Sequence, residues 1–165
     1  MLKYIEQDAT EILSGIIAHG VNCQHRMASG IAKTIRRKFP VAYETYMNNP
    51  KGKEMLGTAH IVCVDEEADL HVANIYTQVF YGYGGGRYAD LDAIERGMIF
   101  VGSIAEGYQL NIYMPRIGCG LGGLSWDKEV GPLMERVADV FSTIDINVCD
   151  LPSKKEDKTH EFITY

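Results

Sequence analysis

Gly118, Gly120, Gly122 and Gly123 lie close together in Pro115-Arg116-Ile117-Gly118-Cys119-Gly120-Leu121-Gly122-Gly123-Leu124. An apolar run at 111–114 precedes them, and a helical pattern begins at Asp127. Where a strand hands over to a helix through residues without side chains, backbone N–H groups converge on an anion. The helix N-terminus adds partial positive charge. A second segment repeats the plan: the apolar run 16–22 leads through residues 23–30 into an amphipathic pattern. Two anion-cradling loops predict a ligand with two phosphates.

His19 lies near the carboxyl end of that second apolar run, three residues before Asn22. It reads in two ways. A histidine in an apolar run is often a satisfied core residue. A neutral imidazole at the carboxyl end of a strand is also where a proton shuttle would stand. Asp90 and Asp92 precede a long helical stretch and read as a cap and a first-turn acid, or as the acid partner of a histidine. Asp8 follows the first strand-like run. It suits a turn, or acceptance of a hydrogen bond from a base amino group.

These residues need elements to hold them. Strands are expected at 2–7, 16–22, 58–65, 71–77, 111–115 and 146–151. The pair 58–65 and 71–77 reads as a hairpin. Helices are expected at 29–38, capped by Ser29 and stopped by Pro40, and then at 42–48 and 90–108. A last one, with Ser125 as a cap, runs through Val130, Leu133, Met134, Val137 and Phe141. In the long helix Leu91, Ile94, Met98, Val101 and Ala105 form one stripe. Residues 78–89 form a loop rich in glycine and tyrosine. Interleaved strands and helices predict an α/β layered domain with a mixed sheet.

The chain has 165 residues, 46% hydrophobic and 23% charged, with a net charge of −6. One domain with an ordinary core fits that length. The negative balance argues against attachment along a nucleic-acid backbone. No apolar run approaches a membrane span, and cytoplasmic residence is expected. A monomer is expected. Cysteines 23, 63, 119 and 149 form no CxxC pair and read as reduced thiols, Cys23 and Cys119 partly exposed in the two loops. No metal cluster and no cofactor is indicated. Gly118, Gly120 and Gly123 spell G-x-G-x-x-G, but too little chain follows for a dinucleotide-binding domain, and no P-loop motif is present.

Taken together these segments resemble a macro domain over residues 1–151, with 152–165 a polar C-terminal tail. The matching pieces are Tyr4-Ile5-Glu6-Gln7-Asp8-Ala9-Thr10, His19-Gly20-Val21-Asn22-Cys23, Met27-Ala28-Ser29-Gly30-Ile31-Ala32 and the segment 115–126. The last of these is similar to the branch with terminal ADP-ribose glycohydrolases and yeast-type ADP-ribose-1″-phosphate phosphatases. The resemblance implies a three-layer α/β/α fold with a mixed central sheet, and ADP-ribose or a derivative as ligand. Asp8 would bind the adenine amino group and Asn22 the distal ribose. Ser29, Gly30 and Ile31 would cradle one phosphate. Gly118, Cys119, Gly120, Leu121 and Gly122 would cradle the other. Residues near Leu151 would flank the adenine.

The resemblance also bears on activity. The lysine and aspartate of the terminal glycohydrolases correspond to Gln78 and Gly122 here, so that mechanism is not expected. His19 falls where the phosphatases have their catalytic histidine, with Asp90 as its nearest acid. The expected activity is metal-independent removal of the 1″-phosphate of ADP-ribose 1″-phosphate. The alternatives are a non-catalytic ADP-ribose reader, or substrate-assisted hydrolysis of ADP-ribosyl or acyl-ADP-ribose esters.

Overall fold

The structure, a computed structural model, describes residues 1–153. Six strands form one sheet: β1 (Leu2–Glu6), β2 (Gly15–Asn22), β3 (Ala59–Asp65), β4 (Leu70–Gln78), β5 (Ile112–Met114) and β6 (Ile146–Asp150). Their order is β1-β6-β5-β2-β4-β3. All neighbours are parallel except β3, which runs antiparallel to β4. The expected hairpin and mixed sheet are therefore present. Of the tail expected at 152–165, residues 154–165 lie outside the described residues.

Alternation along β2 builds the two faces of the sheet. Ile16 and Ala18 join the core under α3 (Leu91–Tyr108) and α4 (Gly131–Val140). Ile17 packs against α1 (Gly30–Lys38) and α2 (Pro40–Asn48), and Val21 joins Tyr46 of α2. A parallel strand covered on both faces is apolar almost throughout, and β2 is buried at every residue but Gly20. The result is a three-layer α/β/α fold. Ile94, Met98, Val101 and Ala105 of α3 are fully buried. Each of the larger side chains contributes about 1.5–3 kcal/mol by leaving water.

Three local expectations change. Pro40 does not merely stop α1. It opens α2 at the first position, where its missing N–H breaks no helical bond. Ser29 occupies the α1 N-cap position, but its side chain makes no capping hydrogen bond. Cys23 is fully buried rather than partly exposed. Ser125 does cap, its hydroxyl accepting from the Lys128 N–H at 3.2 Å, ahead of a wide turn that leads into α4.

Candidate functional site

The carboxyl ends of β1, β6, β5, β2 and β4 lie along one edge of the sheet, where open α/β sheets hold their ligands. A cleft of about 540 Å³ opens there. Asp8, Cys149, Leu151 and Arg116 bound it at the β1–β6 end. Asn22, Gln78, Arg26, Tyr81 and Tyr83 bound it at the β4 end. The start of α1 and the glycine loop after β5 line it between them.

The loop after β5 is folded on itself. The carbonyl of Gly118 accepts from Leu124 N–H at 2.9 Å, and that of Gly122 accepts from Tyr88 and Ala89 at 2.9 and 3.0 Å. Gly118 has φ +78°, the left-handed region where glycine is favoured. A side chain at Gly122 would meet the Gly118 carbonyl at 2.7 Å. Among the described residues, the N–H groups of Gly118, Gly120, Leu121 and Gly122 donate to no protein acceptor. Gly30, Ile31 and Ala32 at the start of α1 leave their N–H groups open in the same way, Ser29 supplying no cap. Two sets of unused donors thus border one cleft.

Asn22 holds the loop after β2. Its Oδ1 accepts from Gln24 N–H at 2.9 Å, and its Nδ2 donates to the Arg26 carbonyl at 2.9 Å. The Tyr46 hydroxyl donates to the Asn22 carbonyl at 2.7 Å and accepts from Arg26 N–H at 3.0 Å. Burial raises the Tyr46 pKa, so the hydroxyl stays protonated. Asp8 caps a short turn, Oδ1 accepting from both the N–H and the hydroxyl of Thr10 at 2.8 and 2.7 Å. Its other oxygen has no donor among the described residues.

Asp8, Asn22, Ser29, Gly30, Ile31, Gly118, Gly120, Leu121 and Gly122 therefore share one cleft, whereas Cys119 is not part of its wall. Burial pushes the Cys119 and Cys149 thiols up to about 11, which disfavours a thiolate at either.

The two residues expected to be catalytic stand elsewhere. His19 is fully buried in β2, one of the residues on the α1–α2 side of the sheet. Its Nε2 donates to Asn74 Oδ1 at 2.6 Å, and Nδ1 has no partner among the described residues. Burial lowers its pKa to about 4, against the weaker opposing effect of the Asn74 bond. With no exposed surface and no place on the cleft wall, this imidazole has no route to a ligand there. Asp90 caps α3, accepting from Ala93 N–H at 2.9 Å, and does not line the cleft either. The core-residue and helix-cap readings describe these two positions.

Sequence reasoning passed over Arg26, Tyr81, Tyr83 and Arg116, all on the cleft wall. Arg26 rests on the Tyr81 ring, 5.1 Å from its centroid. The cluster of tyrosines and glycines at 81–88 was the available signal for that end. Arg116 had none beyond its place before the glycines.

The macro domain family profile matches residues 18–131, and the chain belongs to that family. Among individual proteins, an uncharacterized 17.5 kDa protein of Enterobacteria phage T4, from the tk-vs intergenic region, is 28% identical over 150 residues. The match covers 87% of this chain and 91% of the phage protein. A DNA ADP-ribosyl transferase–DNA ADP-ribosyl glycohydrolase fusion protein of Thermosipho africanus is 26% identical over 152 residues. There the match covers 82% of this chain but only 38% of the fusion. The solved structure of Thermosipho africanus DarTG in complex with ADP-ribose superposes with a TM-score of 0.70 at 23% identity. It covers 93% of this chain and 42% of that one, a likeness of fold.

Proposed function

We propose that the cleft binds an ADP-ribosyl group. The observation that carries this reading is the pair of unused N–H clusters, one at the start of α1 and one at residues 118–122, facing a single cleft. A diphosphate joining two riboses would satisfy both. Asp8 would receive the base amino group on its free oxygen, and Asn22 would contact the distal ribose. ADP-ribose as the ligand of the Thermosipho structure supports the assignment. Calorimetric titration tests it: ADP-ribose should bind, and NAD should bind much more weakly. Equal affinities would defeat it.

A second reading is hydrolysis of an ADP-ribosyl linkage. It is favoured by the likeness to the Thermosipho fusion protein, whose name includes a DNA ADP-ribosyl glycohydrolase and 38% of which this chain matches. With Gln78 and Gly122 at the lysine and aspartate positions, such hydrolysis would draw on water and on the substrate's own phosphate. The 1″-phosphatase reading leaned on His19 and Asp90. Neither reaches the cleft, so that chemistry would also have to run on the loop N–H groups alone. Parallel incubations with ADP-ribose 1″-phosphate, ADP-ribosylated DNA and ADP-ribosylated protein separate these activities. Turnover of none, with ADP-ribose still bound, would leave a reader.

A further inference from the structure

Among the described residues, Arg116 is the side chain lining the β1–β6 end of the cleft that offers an extended planar face. The aromatic rings on the cleft wall, Tyr81 and Tyr83, both belong to the loop at the opposite end. The guanidinium is held on two sides. Its Nε and Nη2 donate to the two carboxylate oxygens of Asp150 at 2.8 and 3.1 Å. Its central carbon lies 5.7 Å from the Tyr4 ring centroid and 5.5 Å from that of Trp126. Those rings meet edge to face, and the Trp126 indole N–H donates to the Tyr4 hydroxyl at 3.0 Å.

Such a setting suits stacking better than ion pairing. Asp150 consumes two of the five donors and cancels the charge that would attract a phosphate. What stays available is a flat, weakly hydrated face, the kind of surface on which heterocyclic bases stack. The open N–H groups already serve the phosphates. We infer that Arg116 is the stacking shelf for the base of the bound nucleotide, kept flat by Asp150 and backed by Tyr4 and Trp126. This inference rests on the ADP-ribosyl reading of the cleft and adds a residue that fixes its base.

The test uses the full chain, calorimetry and the emission of Trp126, which is the only tryptophan. Wild type is titrated first with ADP-ribose. The variants R116K and D150N follow, each checked by circular dichroism and melting. R116K keeps the charge and loses the plane, and should weaken ADP-ribose binding about tenfold, the usual scale for losing one stacked base. D150N should weaken it severalfold, because the fork is no longer oriented. AMP should shift the Trp126 emission of wild type, and ribose 5-phosphate at saturation should not.

An R116K affinity equal to wild type overturns the shelf. So does tighter binding by D150N, which would mark Arg116 as a phosphate contact freed from its counterion. An emission change of the same size with ribose 5-phosphate also overturns it. If R116K does not fold, D150N and the wild-type emission still decide. Failure of wild type to bind ADP-ribose removes the functional reading itself. Wild-type binding with unaffected variants removes only the shelf.

Discussion

At the β1–β6 end of the cleft, Arg116 is tied to Asp150 by two hydrogen bonds and packed on Tyr4 and Trp126. At the β4 end, Tyr81 and Tyr83 ride on a glycine-rich loop, and Arg26 lies over Tyr81 with no ion-pair partner among the described residues. The tip of that loop is open: a side-chain carbon placed at Gly84 or Gly85 would meet nothing within 4 Å. The loop is pinned at its two ends: Cys23 and Gln24 donate to the Val79 carbonyl at its start, and at its exit Tyr88 and Ala89 donate to Gly122 and Arg87 pairs with Glu129 at 2.7 Å. Sparse contacts lower the cost of local rearrangement. The first end suits a constant part of the ligand, and the second suits whatever varies beyond it.

Blocking the stretch between the two ends should have the largest effect. Gly120 borders the cleft, and a side-chain carbon there meets no protein atom within 4 Å. Gly120→Val should therefore fold normally and fill the space a phosphate needs. ADP-ribose affinity should fall on the order of 1,000-fold, about 4 kcal/mol, with melting unchanged. Calorimetry showing near-normal affinity would mean that this loop is not a phosphate cradle.

A smaller effect separates the fold from both ends. No histidine among the described residues lines the cleft, so ADP-ribose affinity should stay within about twofold from pH 6 to 8. Stability should behave differently. The folded chain holds His19 neutral down to about pH 4, while the unfolded chain takes up the proton near 6.5. Between those values the unfolded state binds the extra proton. The stabilising contribution is thus complete above pH 6.5 and is lost as pH falls toward 4, a change of roughly 3 kcal/mol. Urea unfolding at pH 7 and pH 4.5 measures it. His19→Gln, whose amide can still donate to Asn74, should show a flatter profile. Identical profiles for both proteins would place the acid sensitivity elsewhere.

How far the two ends could be read from sequence depends on the range of the contacts that make them. The order of strands and helices was legible because hydrophobic period decides it, as Ile94, Met98, Val101 and Ala105 illustrate. The glycine loops were legible because they are contiguous. His19 was ambiguous because position along β2 says nothing about direction. Alternation turns it to the α1–α2 side, while Asn22, the last residue of the strand, reaches the cleft. Asp90 capped α3, as its local pattern alone would have it. Arg116 and Asp150 meet across 34 residues of sequence, and nothing local to either announces the pair.

The smallest effect expected is at Tyr81. Its ring is exposed and its partner Arg26 is solvated, and cation–π contacts in such settings contribute about 0.5–1 kcal/mol. Tyr81→Ala should therefore weaken free ADP-ribose only about two- to fivefold and leave the melting temperature near that of wild type. The loop stands beyond the glycine cradles, so a group carried on the distal ribose would approach Tyr81 more closely than ADP-ribose itself does. Loss of Tyr81 should accordingly cost an ADP-ribosylated carrier more than it costs the free ligand. Competition titrations with the two ligands, run on wild type and variant, measure the ratio. A loss for free ADP-ribose as large as that of R116K would erase the difference between the ends. Equal losses for free ligand and conjugate would take from the β4 end its role in meeting the variable part.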